Sequence, residues 1–504
     1  MNRPAISVHE LLQGSTDAGA CGDILVRGLA LDSRRVQQGD AFIALAGTQM
    51  HGIAFAPMAA ARGASIVLAE KARDGTPAST AVDYPSADEG GVPIVWLDGL
   101  RDELGTLAAR FFGEPSQTLE VIGVTGTNGK TSTVQLLAQA LHLAGRKAAT
   151  IGTLGAGLYG AIREGERTTP DAIAVQGLLA GFRDAGASHV AMEVSSHALE
   201  QGRVNAVAFD LAVFTNLSRD HLDYHGTMQA YGAAKRRLFE WPGLSAAIIN
   251  ADDAFGRTLI ATVPARVRLL RYAIGRNEAE VVARDLQSSA NGQRFHLSTP
   301  WGEGAVATRL LGRFNVSNLL AVAACLGLLG VAFAKIVEAL GALTPVAGRM
   351  SRLGGAGVQP LIVVDYAHTP DALEQALTSL RAHSAGRLIC VFGCGGERDA
   401  GKRPQMGAIA EALADRVIIT DDNPRGEDGD VIVEQIVAGL KRPERATIER
   451  DRAIAIAQAI EFAQPGDIVL IAGKGHEPYQ EIAGAKRPFD DMTIAQHALE
   501  QRAC

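Results

Sequence analysis

The sequence lacks a long apolar run, a basic excess and a cysteine framework, and each absence removes a class of function. The longest uncharged stretch, 319–334, is dotted with Ala and Gly and falls short of the roughly 20 residues that span a bilayer. It reads as a buried helix. The N-terminus, Met1-Asn2-Arg3-Pro4-Ala5, leads to His9 and Glu10 without an apolar core, so no secretory signal is expected. With 48 Lys and Arg against 55 Asp and Glu, net charge -7, the chain is a poor match for a phosphate backbone, and nucleic acid is not an expected partner. The five cysteines (Cys21, Cys325, Cys390, Cys394, Cys504) are odd in number and scattered, which suits reduced thiols in a cytoplasmic protein rather than disulfides or paired metal ligands. No membrane insertion is expected.

What is present is ample material for a core. At 504 residues, 47% hydrophobic and 20% charged, the chain fits a globular protein of about three domains. Residues 1–117 mix short strand-like runs (41–45 and 65–68) with Gly-containing turns and a polar, Pro-bearing stretch over 74–91, as in a small α/β domain with an exposed loop. From 118 to 346 the pattern becomes strand (119–124), Gly-rich turn and apolar-periodic helix, with further strands at 189–194, 211–215 and 246–250 and a closing helix from Asn318. That order predicts a parallel sheet. A third α/β unit, 347–504, carries expected strands at 360–364, 388–392, 416–420 and 467–472.

The run Gly123-Val124-Thr125-Gly126-Thr127-Asn128-Gly129-Lys130-Thr131-Ser132 follows a strand and opens a helix, where backbone N–H groups can wrap phosphates. Glycines allow close approach, Lys130 can place its ammonium by the β/γ-phosphates, and the Thr131 hydroxyl can ligate Mg²⁺. Five residues separate Gly123 from Gly129, one more than the strict Walker spacing. The Gly-Thr-Asn-Gly-Lys-Thr spacing resembles the loop of the Mur ligase and folylpolyglutamate synthetase superfamily. Members use ATP to make an acyl phosphate, which an amine then attacks. The resemblance implies a three-domain α/β protein, with a central P-loop ATPase-type parallel sheet and a Rossmann-like C-terminal domain.

An acyl-phosphate route brings a carboxylate against a triphosphate, so cations must stand between them. Glu193 ends an apolar run in Met192-Glu193-Val194-Ser195-Ser196-His197, and His221 lies in Asn216-Leu217-Ser218-Arg219-Asp220-His221-Leu222-Asp223-Tyr224-His225-Gly226. Both segments resemble family signatures, which implies that Thr131, Glu193 and His221 help hold Mg²⁺. Lys235, in Tyr231-Gly232-Ala233-Ala234-Lys235-Arg236, matches a lysine carried as an N-carbamate, an added oxygen ligand. The resemblance further places Gly126, Thr127, Asn128, Gly129, Lys130, Thr131, Ser132, Asn315, Arg349 and Asp365 around ATP, with Lys130, Glu193, His221 and Lys235 catalytic.

Substrate identity rests on the flanking segments. Leu31-Asp32-Ser33-Arg34 and Gly47-Thr48-Gln49-Met50-His51-Gly52 resemble a uridine-diphosphate-sugar pocket, implying roles for Leu31, Ser33, Thr48, Gln49 and Met50. Thr168, Thr169, Ser195, Gln201 and Arg203 match positions that contact a muramoyl dipeptide; Arg167 stands where some relatives carry Asn. Asp421-Asp422-Asn423-Pro424-Arg425 is similar to an element of the family members that add meso-diaminopimelate. A guanidinium such as Arg425 can hold the far carboxylate that distinguishes this amino acid from lysine, while Asp422 and Asn423 engage the ammonium. Pro424, Arg398, Gly473 and Glu477 complete the implied pocket. The expected partners are thus ATP, UDP-N-acetylmuramoyl-L-alanyl-D-glutamate and meso-diaminopimelate, bound by a monomer.

Rival readings remain: a lysine-adding or folate-extending ligase, a P-loop switch or motor, and a dinucleotide oxidoreductase prompted by Gly393-Cys394-Gly395-Gly396. The last lacks the complete G-x-G-x-x-G spacing.

Overall fold

The computed structural model describes residues 5–502 apart from 14–17, 48–49, 72–90, 277, 356 and 385. Three sheets follow one another along the chain. The first is parallel, with strands Gly28–Ala30, Asp40–Ala44, Ile66–Glu70 and Ile94–Leu97 side by side in chain order. The loop expected over 74–91 lies almost wholly outside the described residues.

The central sheet has eleven strands. Its parallel heart runs Ala148–Gly152, His189–Glu193, Glu120–Thr125, Leu211–Phe214, Ala246–Asn250, Arg268–Ile274 and Val281–Ser289. The strands Ala148–Gly152, His189–Glu193, Leu211–Phe214 and Ala246–Asn250 are buried throughout, as a parallel sheet covered on both faces requires. One face packs against helices Lys130–Leu143 and Arg313–Leu328, the other against Ala172–Asp184 and the segment around Phe239. Antiparallel strands finish both sides. Gly155–Leu158 and Ala161–Arg163 lie at one edge, Gly292–Thr299 and Gly302–Thr308 at the other, where helix Phe333–Ala342 lies over the last strand.

The uncharged run 319–334 is not one helix. The helix starts earlier, at Arg313, and stops at Leu328; Gly330 then takes φ +76° and a second helix begins at Phe333. Its near-complete burial explains the run: 12 of its residues are buried, from Asn315 to Gly327, so apolar side chains surround it on every face. Among the described residues no helix is long and apolar enough to cross a membrane.

The third sheet runs Ser351–Gly354, Leu361–Asp365, Ile468–Ala472, Leu388–Phe392, Arg416–Ile419 and Thr447–Ile448, parallel but for the first strand. Separate apolar clusters cover its two faces, the doubly wound arrangement. Beneath it Arg452 and Asp491 form a fork-to-fork pair, Nε to Oδ1 at 2.7 Å and Nη2 to Oδ2 at 2.8 Å, with both side chains fully buried. Removing one partner leaves an uncompensated charge in the interior. Arg452→Met is expected to cost this unit about 3–5 kcal/mol, seen as faster amide hydrogen exchange in strand Ile468–Ala472; unchanged protection would show that Asp491 finds other compensation.

Candidate active site

Ligands of open α/β sheets sit beyond the carboxyl ends of the strands, and the sequence-expected residues gather there twice. In the central sheet, the phosphate loop follows Glu120–Thr125, Glu193 ends His189–Glu193, Thr215 and Asn216 follow Leu211–Phe214, and Thr153 follows Ala148–Gly152. In the third sheet, Asp365, residues 393–399, 421–425 and 473–477 follow four strands.

The loop is built so tightly that side chains are excluded. Gly126 has φ +149°, and a Cβ there would stand 1.9 Å from Thr215 Oγ1; Gly129 has φ +85° and faces Asn318 Oδ1. Such angles and approaches suit only glycine. Thr215 Oγ1 and Asn216 Nδ2 donate to Asn128 O at 2.6 and 3.0 Å, and Asn128 N donates to Asn216 Oδ1 at 2.9 Å. The adjoining strand end thereby sets the path of the loop. Lys130 curls back, its Nζ donating to the carbonyls of Gly126 (2.9 Å) and Thr127 (2.7 Å). Burial draws its ammonium below the ordinary lysine value, against the pull of Glu193 and Asp220.

Glu193 organises the next layer. Its Oε2 accepts from Thr131 Oγ1 at 3.0 Å and Thr153 Oγ1 at 3.2 Å, and its Oε1 accepts from Thr153 N at 2.7 Å. Thr169 Oγ1 donates to Glu193 O (2.8 Å) and accepts from Ser195 N (3.2 Å); Thr168 Oγ1 lies 3.1 Å from Thr153 Oγ1. Arg203 extends the network, donating to Thr169 O at 3.0 Å and clasping Gln201 Oε1, while Gln201 donates to Tyr224 OH at 3.0 Å. The residues expected for the dipeptide thus form one continuous surface with the carboxylate expected for Mg²⁺.

Lys235 is buried and donates to Gly126 O at 2.8 Å, on the same carbonyl as Lys130. Its amine is pulled well below the lysine range by burial, then by the Lys130 charge. Such lowering favours the neutral amine, which is nucleophilic and is the form that can add CO₂ as a carbamate. Tyr231, one helical turn earlier, lies under it with Nζ 4.4 Å from the ring centroid and its hydroxyl 3.2 Å from Thr127 Oγ1. His221 meets Tyr231 edge-on (6.0 Å) and His197 (4.9 Å), with Nε2 3.4 Å from Asp220 Oδ2. His225 packs on the same tyrosine, its Nε2 2.9 Å from Ser196 Oγ.

The donor set suits Mg²⁺, which binds through one or two carboxylates and substrate phosphates rather than an all-protein cage. Thr131 and Glu193 offer a hydroxyl and a carboxylate side by side next to the loop. Among the described residues no three His, Cys, Asp or Glu side chains converge as a metal cage.

A cleft of about 740 Å³ opens beside the loop, lined by Asn128, Gly129 and Ser132 on one side and by Arg349, Asp365 and helix Pro370–Arg381 on the other. Arg349 lies 4.6 Å over the Tyr366 ring, and Asp365 Oδ2 accepts from Met350 N at 2.8 Å. His383 ties the two units together, accepting from Gly312 N at 3.0 Å with Nδ1 2.6 Å from Ser289 O. Asn315, expected near adenine, does not line the cleft. Its carboxamide donates to Leu311 O (2.8 Å) and accepts from Asn318 Nδ2 (3.1 Å), and it is Asn318 that faces the cleft.

In the third unit, Asp422, Asn423 and Gly473 are drawn together with Glu477. Asn423 Nδ2 donates to Glu477 Oε2 at 2.8 Å, and a Cβ on Gly473 (φ +118°) would stand 2.4 Å from Asp422 Oδ2. Burial pushes the Asp422 carboxyl up, against the pull of Arg452 and Lys474. Arg425 adopts φ +56°, held by its N–H to Glu481 O (3.0 Å), and its Nη1 donates to Gly396 O at 2.7 Å. Pro424 O packs on Gly396, and Arg398 is exposed beside Gly395. His221, Met350, Glu397 and Arg425 all take positive φ, and bulky residues adopt that conformation at a cost of about 1–2 kcal/mol; such strain concentrates at functional sites.

In the first unit, Leu31 and Ser33 follow strand Gly28–Ala30; Ser33 Oγ donates to Met58 Sδ at 3.3 Å, and Met50 is exposed. Thr48 and Gln49 lie outside the described residues. Sequence reasoning missed Thr153, Tyr231, Asn318 and Lys474. Tyr231 is four positions before Lys235 on one helix, a spacing that brings side chains together; Thr153 carries no local signal.

Three family models match: Mur ligase family, catalytic domain over 25–112, Mur ligase middle domain over 124–326, and Mur ligase, glutamate ligase domain over 348–475. The chain is 58% identical over 503 residues, 99% of its length and 98% of the relative's, to the UDP-N-acetylmuramoyl-L-alanyl-D-glutamate--2,6-diaminopimelate ligase of Xanthomonas campestris pv. campestris. It is 52% identical to the enzyme of that name from Pseudomonas aeruginosa, over 95% of this chain and 96% of that one. A solved structure under the same name superposes with TM-score 0.73 at 37% identity, covering 99% of this chain and 100% of that chain. MurF from Acinetobacter baumannii shares the fold at 17% identity, TM-score 0.66, over 99% of this chain and 100% of its own. Similarity that runs from one end to the other, over loop, carboxylate and third-sheet pocket alike, leaves a single assignment: the chain belongs to the Mur ligase family.

Proposed function

We propose that the chain joins meso-diaminopimelate to UDP-N-acetylmuramoyl-L-alanyl-D-glutamate at the expense of ATP, through an acyl phosphate, in the synthesis of peptidoglycan precursors. The observation that carries this reading is the convergence of Asp422, Asn423, Gly473 and Glu477 with Arg425 beyond the third sheet, in a chain whose 58%-identical relative bears that ligase name. Residues 1–117 take the UDP-sugar, 118–346 the nucleotide and dipeptide, and 347–504 the amino acid.

ATP lies in the cleft with its phosphates on the N-H groups of the loop and beside Lys130. Thr131 and Glu193, with His221 and Lys235 as its carbamate nearby, would hold Mg²⁺, which would supply positive charge against the phosphate oxygens. The Glu193–Thr169–Arg203 surface orients the dipeptide so that its D-glutamyl side-chain carboxylate attacks the γ-phosphorus, releasing ADP and leaving the acyl phosphate. The amine of diaminopimelate then attacks the acyl carbon, and collapse of the tetrahedral species expels inorganic phosphate as the amide forms. Cleft walls from two units exclude water from a hydrolysable intermediate.

The amino-acid pocket selects by charge. Asp422 and Glu477 attract an ammonium, and Arg425, with Nη1 on Gly396 O and Nε 3.9 Å from Glu481 Oε2, turns its remaining Nη2 to the far carboxylate that lysine lacks.

The deciding experiment is a substrate matrix: phosphate release and product mass with and without the dipeptide, against meso-diaminopimelate, lysine and glutamate. Turnover with lysine or glutamate in preference to diaminopimelate would overturn the assignment. Lys235→Ala is expected to abolish ligation and to regain activity with added short-chain carboxylic acid; full activity of the plain variant would refute the carbamate. Arg425→Ala is expected to lose about 2–5 kcal/mol of diaminopimelate recognition with ATP binding unchanged, measured as the two KM values. An equal loss of both would make Arg425 structural.

A further inference from the structure

Lys474 has no part in the reading above, yet it is among the most completely buried side chains of the protein, with none of its surface exposed. A lysine is seldom placed so deep without a paired role. Its Nζ donates to Asn423 Oδ1 at 3.0 Å and to Glu477 Oε2 at 3.3 Å. Asn423 Oδ1 also accepts from Glu481 N at 2.9 Å. Two donors on one amide oxygen fix which way the Asn423 carboxamide points, and so aim Nδ2 at Glu477 Oε2, 2.8 Å away. Lys474 and Asn423 thus hold the same Glu477 oxygen from two sides, leaving Oε1 of that carboxylate directed elsewhere.

The charges point the same way. Arg452 is committed to Asp491 in the buried pair, and Arg450 to Asp421 at 2.6 Å. Arg452 nonetheless pulls on Asp422 together with Lys474, and Arg425 is balanced by Glu481, so the pocket sets three carboxylates, Asp422, Glu477 and Asp491, against two cations, Arg452 and Lys474. It is one positive charge short, and an amino acid's ammonium supplies it. Without Lys474 two carboxylates would face each other in a poorly hydrated pocket, which favours protonation of one of them over binding of a cation.

We propose that Lys474 is a positioning residue for the amino-acid substrate: it locks the Asn423 amide and the Glu477 carboxylate in the orientation that receives the substrate ammonium. The inference rests on the proposed diaminopimelate pocket, and the experiment separates the two. Lys474→Met and Lys474→Gln are compared with the unaltered protein in two assays. One follows meso-diaminopimelate addition; the other traps the acyl phosphate with hydroxylamine, which needs ATP and dipeptide but no amino acid.

Both variants are expected to raise KM for meso-diaminopimelate, Lys474→Met by about 30-fold or more, the loss typical of a buried charged contact. Lys474→Gln, which keeps a donor, falls between Met and the parent. Hydroxamate formation stays within about twofold of the parent, since the hydrogen bonds of Lys474 go to Asn423 and Glu477 of the third unit. An unchanged KM in both variants overturns the inference, as does a parallel fall of both assays, which would make Lys474 a support for folding alone. If Lys474→Met does not fold, Lys474→Gln decides by the same two readings. Failure of the unaltered protein to use meso-diaminopimelate would sink the proposed function itself, a result distinct from any variant's.

Discussion

Two lysine amines meet at one carbonyl. Lys130 and Lys235 both donate to Gly126 O, at 2.9 and 2.8 Å, and both are drawn below the ordinary lysine range by burial. Two full ammonium charges so placed repel by on the order of a few kcal/mol at the effective dielectric of a protein. Glu193 and Asp220 counter part of this at Lys130. The remainder makes the site electropositive, so that an anion beside either amine relieves the repulsion. The glycine angles of the loop, the Thr215 and Asn216 props and the Tyr231 ring all serve to keep that carbonyl where both amines reach it.

The candidate phosphate loop and the candidate amino-acid pocket stand on different sheets, joined through a few contacts. His383 reaches from the third unit to Gly312 and Ser289, and Arg352 donates to Ala290 O at 3.1 Å. Helix Pro370–Arg381 belongs to the third sheet's layer yet walls the nucleotide cleft. The two candidate pockets are therefore linked through the placement of one unit.

Much of this was legible in the sequence because the parallel strands are short, wholly apolar and punctuated by glycine or charged residues. The expected strands at 246–250 and 388–392 match Ala246–Asn250 and Leu388–Phe392 residue for residue, and the others fall within a residue or two. The half-exposed strands were not legible. Val281–Ser289 carries Arg284 and Asp285, and Gly302–Thr308 opens Gly302-Glu303-Gly304 and keeps only Ala305-Val306-Ala307 apolar, so neither presents a long apolar run. Site residues were readable where a motif held them, as in the phosphate loop and Asp422-Asn423-Pro424-Arg425. They were invisible where only tertiary contact defines them. Thr153 reaches Glu193 from a different strand, and Asn318 lines the cleft while Asn315, one turn away on the same face, commits its amide to Leu311 O and Asn318.

The antiparallel strands that flank the central sheet bear on solubility. Eleven strands in one sheet leave two long rows of unpaired backbone groups unless something blunts them, and such rows template aggregation. Here one border is a strand of only three residues, Ala161–Arg163, ending in a charge. The opposite border, Gly302–Thr308, lies under helix Phe333–Ala342, with Phe333 against Gly302 and Gly304. A second molecule thus finds little purchase for strand addition at either side, and the sheet can grow wide without becoming adhesive.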